Sequence, residues 1–281
     1  MRGTQTSRVL RTSAEVFAAN RASGGVTLAA GFVAGRTRPT HVSEHGSLRV
    51  RFPNRASDIL EAVLINTAGG MTGGDEFAIK LLLGAGATLL AGTAAAEKIY
   101  RSTGPDTVVA LTIDAASGSR CLWLPQETIL FDRAHLARRI EVDLADDAAL
   151  LMAEAIIYGR SAMGEVVNEG RLIDCWRVRR GGRLIFAESV RLDGAVSRML
   201  TQPAVAAGAV AIATVLMVPG DEQKVAAVRA LDEQFIGEVG ISAWNGIALA
   251  RLCAGDGSAL RHDLTALLGA LAMPLPRLWP Q

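Results

Sequence analysis

The sequence predicts a mainly β chain with two helices near its C-terminal end. Three observations carry that expectation. From Val26 to Val218, short extended segments are separated by glycine or Asp/Asn turns, several of them alternate apolar and polar residues, and after Asp221 the apolar period lengthens to that of a helix. Regularly spaced strands of this kind belong to a sandwich, a barrel or a β-helix.

At the N-terminus, Arg2, Arg8, Arg11 and Arg21 stand against Glu15 alone, a bias found in transit peptides. The apolar run Val26 to Ala34 is short and late for a targeting segment. Residues 1–22 therefore read as a disordered extension, and residues 23–281 as a single domain. Leu48 to Phe52 alternates apolar and basic residues, Phe77 to Leu83 and Val108 to Ile113 are apolar segments, and Ile140 to Leu144 alternates again. Trp176–Val178 and Leu184–Phe186 flank Gly181-Gly182, a pair that accepts positive φ and predicts a hairpin. No charge occurs from Met199 to Gly220. The apolar part, Ala204 to Val218, falls short of the roughly 20 residues of a membrane span and lacks an aromatic belt, so it reads as one or two buried strands. Asp221 caps a helix running to about Phe235. Ser258 caps another, with Leu260, Leu264, Leu267, Leu268 and Leu271 at helical spacing, stopped by Pro274 and Pro276.

Charge and cysteine content narrow the function classes. The 281 residues include 29 basic and 28 acidic side chains, so no broad field draws the chain onto nucleic acid or an anionic membrane; proteins or small ions are the expected partners. Cys121, Cys175 and Cys253 lie far apart without a C-x-x-C pair, which argues against a zinc site or disulfide framework and for a reducing, cytoplasmic compartment. A mean hydropathy of +0.27 predicts that the chain aggregates when alone.

Familiar catalytic motifs fail individually. The glycine cluster Asn66 to Asp75 ends in Asp75 and Glu76 where a Walker loop needs Lys and Ser/Thr. His41 and His45 fall on an extended segment, about 13 Å apart at ~3.3 Å per residue, too far to share an ion. No G-x-S-x-G elbow is present. Glu154 and Glu165 are the pair a β-helix or β-sandwich hydrolase using two carboxylates would employ, which is the rival reading from another functional class. Trp123 to Asp132, WLPQETILFD, is a rigid string in which Pro125 places Gln126 and Glu127 at a strand edge or bend, as a solvated polar corner.

Taken in order, HGSLRV (His45–Val50), AGGMTGGD (Ala68–Asp75), AEKIYRS (Ala96–Ser102), WLPQETILFD, Gly159-Arg160 followed by Gly164-Glu165, and LPRLWP (Leu275–Pro280) resemble the urease accessory protein family UreD, also called UreH. Many members have proline where this chain has Thr67 and Ala68. The resemblance implies a β-helix-like body of many short strands with a pair of helices packed on it, and no catalysis. It implies a scaffold that binds apo-urease on one side and UreF on the other, UreF carrying the GTPase UreG. Ni²⁺ would pass in transit through a water-filled tunnel, with no tightly bound cofactor and no tight metal site. Such a tunnel should carry scattered carboxylates, because a hydrated divalent cation pays heavily to enter an apolar passage. Asp75, Glu154 and Glu188 are the candidates. Glu97, Lys98, Tyr100, Arg101, Gln126 and Glu127 are placed near the passage or at an interface, and the C-terminal helix pair, with its leucine stripe, on the UreF-facing side.

Overall fold

The computed structural model describes residues 21–53, 57–160, 163–271 and 273–279. All but the last two residues of the expected N-terminal extension lie outside the described residues. Strands β1 (Ser23–Val33) and β2 (Arg36–Gly46) form an antiparallel hairpin, and β3 (Leu48–Arg51) pairs antiparallel with β4 (Leu60–Asn66). From β4 the chain steps back and forth between two sheets. It runs through β5 (Glu76–Leu83), β6 (Thr88–Thr93), the short β7 (Glu97–Ile99), β8 (Thr107–Ala115), β9 (Arg120–Trp123), the short β10 (Thr128–Leu130), β11 (His135–Leu144), β12 (Ala149–Tyr158) and β13 (Gly170–Arg180).

In one sheet β1, β5, β8, β11 and β13 lie parallel side by side; in the other β4, β6, β9 and β12 do the same. A narrow third row is made by the Met71–Ile99 bridge, β7, β10 and the last residues of β12. The body is therefore a β-solenoid of three-sided coils. Leu60, Leu89, Cys121 and Leu150 stand in register on successive coils, 29, 32 and 29 residues apart. Across the other sheet Leu28, Leu81, Ile113, Val142 and Val178 form one continuous buried file.

Antiparallel elements close the last coil. Gly181 and Gly182, both at positive φ, turn β13 into β14 (Arg183–Gly194), as the glycine pair predicts. Helix α1 (Val196–Leu200) leads to β15 (Ala211–Val218), which pairs with β12. Helix α2 (Glu222–Arg229) follows, then a hairpin of β16 (Glu238–Trp244) and β17 (Ile247–Ala254), and finally α3 (Gly257–Ala270). An inner core fills the space between the sheets. A second, outer core lies between the β15–β17 face and the two long helices, and there Leu260, Leu264, Leu267 and Leu268 are buried.

Several expectations change. Strands reach 10–12 residues in β11 to β14, longer than the segments the alternation marked. The apolar stretch Ala204 to Val218 holds one strand, preceded by turns. Asp221 does cap a helix, but α2 stops at Arg229 and a 3-10 turn (Asp232–Gln234) follows, because the Ile236 and Gly237 amides donate to buried Asp263 at 2.8 Å each and draw the chain toward α3. Asp256, not Ser258, caps α3; its carboxylate accepts from Ser258 and Ala259. The leucine stripe is the buried seat of α3 on the sheet, so it is no open docking face. Among the described residues no helix is long and apolar enough to cross a membrane.

Candidate functional site: a buried charge cluster inside the solenoid

Alternation along β11 turns Leu136, Ile140 and Val142 inward, and Arg138 falls in the same phase. Along β13, Leu172, Trp176 and Val178 point inward, and Asp174 shares their phase. The two strands are parallel neighbours with Arg138 and Asp174 directly in register. From the facing sheet β12 contributes Glu154 between inward Met152 and Ile156. Three ionisable groups thus meet in the core, Arg138 at 7%, Glu154 at 6% and Asp174 at 5% exposure.

Every member is held. Arg138 grips Asp174 at two points, Nε on Oδ1 at 3.0 Å and Nη2 on Oδ2 at 2.6 Å, while its Nη1 donates to Glu154 Oε2. Trp123 Nε1 donates to Glu154 Oε1 at 2.6 Å and Trp176 Nε1 to Asp174 Oδ1 at 3.1 Å. A bidentate pair with its remaining lone pairs satisfied offsets much of the cost of burying charge. With both carboxyls ionised, one guanidinium faces two carboxylates, leaving a net charge of −1. Burial pushes the Glu154 carboxyl above its ordinary range, against the pull of Arg138 and the Trp123 hydrogen bond. Burial alone would depress the Arg138 guanidinium, but the two carboxylates raise it above its ordinary value.

Two cavities flank the cluster. One, of about 350 Å³, lies between the last strands of both sheets; Glu188, Thr214, Arg251 and Cys253 line it beside the cluster, and exposed Val205 and half-exposed Arg251 mark its outer end. Arg251 Nη1 donates to Glu188 Oε1 at 2.5 Å, and Glu188 Oε2 is buried without a hydrogen-bond partner among the described residues. The other, of about 60 Å³, runs through the inner core toward Glu97, Thr93 and Gln126. Among the described residues their linings have two in common, Arg138 and Glu154. Glu97 accepts from Asn66 Nδ2 at 3.0 Å, and burial raises its carboxyl above the usual range.

Of the sequence-derived candidates, Glu154, Glu188, Glu97 and Gln126 lie along these spaces. Asp75 lines neither, and its two oxygens accept from the Ala22 and Thr72 amides at 2.8 Å each, stitching the turn to the start of β1. Lys98, on the opposite face of β7 from Glu97, and Arg101 are exposed. Tyr100 is exposed too, donating to the Gly69 carbonyl and resting edge-on against Phe131. Gln126 and Glu127 are buried rather than solvated: both accept from Arg261 on α3, Glu127 at 2.5 Å, and Gln126 also donates to the Leu278 carbonyl. The polar corner is covered because the C-terminal segment lies over it, with Trp279 Nε1 donating to the Leu124 carbonyl. Glu165 bonds Arg160 at 2.6 Å while Glu154 bonds Arg138, so the pair of the hydrolase reading is split between two arginines. His41 and His45 sit on a strand as expected, both exposed. Among the described residues no group of three metal-ligating side chains converges.

Comparison with known proteins bears on the whole chain. The family model of the UreD urease accessory protein matches residues 22–280. The chain belongs to the UreD family. It is 52% identical over 268 residues to urease accessory protein UreD 3 of Bradyrhizobium sp. strain BTAi1, covering 95% of this chain and 96% of that one. To the UreD of Rhodopseudomonas palustris strain BisA53 it is 53% identical over 264 residues, 94% and 92% of the two chains. The Bradyrhizobium diazoefficiens UreD is 47% identical over 270 residues, 96% and 98%. The resemblance carried by the ordered motifs therefore holds, and the chain is a urease accessory protein with the expected β-solenoid body.

Within this UreD chain the sequence reading missed Arg138, Asp174 and the indole of Trp123. A signal was available for the first two: each is a charge at an inward phase of an alternating strand, L-x-R-x-I in β11 and L-x-D-x-W in β13.

Proposed function

We propose that this UreD protein is a non-catalytic scaffold of urease maturation, binding apo-urease and the UreF–UreG pair and letting Ni²⁺ pass through its interior in transit. The observation that carries this reading is the line of carboxylates Glu188, Glu154 and Glu97 along two cavities that meet at one buried cluster. Carboxylates at intervals replace part of a cation's lost hydration. Nucleic acid and membrane are not partners in this reading, and the compartment is the cytoplasm. Asp75, with both oxygens engaged by backbone amides, serves the turn and through it the solenoid's first coil.

Co-expression of urease subunits with UreF, UreG and this chain tests the proposal. Nickel content and urease activity should require the chain and should drop at least tenfold with Glu154→Gln together with Glu188→Gln, while the accessory complex still forms. Full nickel loading without the chain would refute the scaffold role. Full loading with the double variant would refute the passage.

A further inference from the structure

Building on the passage reading, we propose that Arg138 is a resident counter-cation that keeps the two cavities apart, and that a divalent cation crosses by taking its place on Glu154 while the guanidinium stays clamped to Asp174. The bonding pattern identifies the contact that yields. Arg138 holds Asp174 through two hydrogen bonds and Glu154 through one, so releasing Glu154 leaves the planar two-point pair whole. The carboxylates are the fixed members. Trp123 anchors Glu154 and Trp176 anchors Asp174, both through indole nitrogens, whereas the guanidinium rides on a flexible stem.

Position makes this contact decisive for traffic. Among the described residues Arg138 and Glu154 alone are shared by the linings of the two cavities, so a cation moving from the Glu188 side to the Glu97 side meets their ion pair. Charge favours the exchange. The ionised cluster has one carboxylate more than it has guanidinium groups, and a cation on Glu154 meets that excess where a neutral or anionic solute would not. With Arg138 in place Glu154 is already satisfied, so the native chain offers an arriving ion only a weak, quickly vacated hold.

Equilibrium dialysis of the full-length chain against Ni²⁺ alone tests this. Arg138→Gln combined with Asp174→Asn removes the resident cation and its clamp together and leaves Glu154 as the one carboxyl of the cluster, with no guanidinium competing for it. Nickel affinity should rise at least tenfold over the native chain, and adding Glu154→Gln should abolish the rise. No rise, or a rise that survives Glu154→Gln, overturns the proposal. Should the double variant fail to fold, Arg138→Lys keeps the charge but loses the two-point clamp on Asp174, so its ammonium is free to stay on Glu154; nickel affinity should not rise above the native value and nickel loading of urease in co-expression should fall several-fold, and a raised affinity or undiminished loading overturns the proposal. The passage itself is judged separately: if Glu154→Gln alone leaves urease fully loaded with nickel in co-expression, the passage falls whatever the dialysis shows.

Discussion

At the residue scale, the tryptophan at the head of WLPQETILFD proves to be the partner of a buried carboxylate. Replacing Trp123 by Phe keeps the ring in the inner core but removes the donor to Glu154 Oε1, and an orphaned oxygen on a buried charged group costs about 1–3 kcal/mol. Chemical denaturation should show that loss, and a variant as stable as the native chain would mean that the indole bond contributes nothing. Glu97 predicts a pH effect. Its folded-state pKa is raised by burial above the ordinary 4.5, so the native state holds the proton more tightly than the unfolded chain does, and stability falls as pH climbs from the unfolded value through the folded one. Glu97→Gln should therefore gain stability relative to the native protein across that window and keep the gain at neutral pH; a gain confined to acid would contradict the assignment. Glu154 and Glu188 are legible in the sequence because each interrupts an apolar context within a segment that resembles the family pattern, and Glu97 because it belongs to the motif AEKIYRS. Arg138 and Asp174 escaped because their strands were read only in part, from Ile140 and from Trp176 onward, beyond the residues where charge enters the inward phase.

At the element scale, strand identity was legible wherever alternation or a glycine pair marked it, as at Leu48 to Phe52 and Gly181-Gly182. The β16–β17 hairpin was overlooked although Asn245-Gly246, both at positive φ, is the strongest short turn signal in the chain. Helix lengths were misjudged because tertiary bonds, the Asp263 carboxylate on the Ile236 and Gly237 amides, decide where α2 yields to a turn. Arg261 on α3 likewise joins elements far apart in sequence, gripping Gln126, Glu127 and the Trp279 carbonyl, with its guanidinium 5.9 Å from the Trp279 ring. Arg261→Met should release the C-terminal segment. Amide hydrogen exchange across residues 273–279 should then quicken at least tenfold while strands β8 and β11 keep their protection; unchanged exchange would mean that the other tail contacts suffice.

At the scale of the whole molecule, no sequence repeat announces the coils, because stacking requires only an apolar residue of any shape at each in-register site: Leu60, Leu89, Cys121 and Leu150 do the same work. The solenoid was therefore legible as a family resemblance and as β content, but not as a period. The outer core implies that α3 is a cover for the second sheet. A chain ending at residue 255 should bare the apolar β15–β17 face and be recovered in aggregates, and a soluble, monodisperse product would refute that role. Register also grades the interior. Successive inward sites Gly24, Phe77, Val109, Arg138 and Asp174 form one file, and Val26, Ile79, Leu111, Ile140, Trp176 and Glu188 form the next, so charge enters each only in the later coils. The axis of the molecule is a dielectric gradient, hydrocarbon at the N-terminal coils and ionic at the C-terminal ones. In the proposed passage an ion admitted beside Glu188 would meet hydrocarbon along the axis, and the acidic group open to it beyond the cluster would be Glu97, on the solenoid's narrow third side.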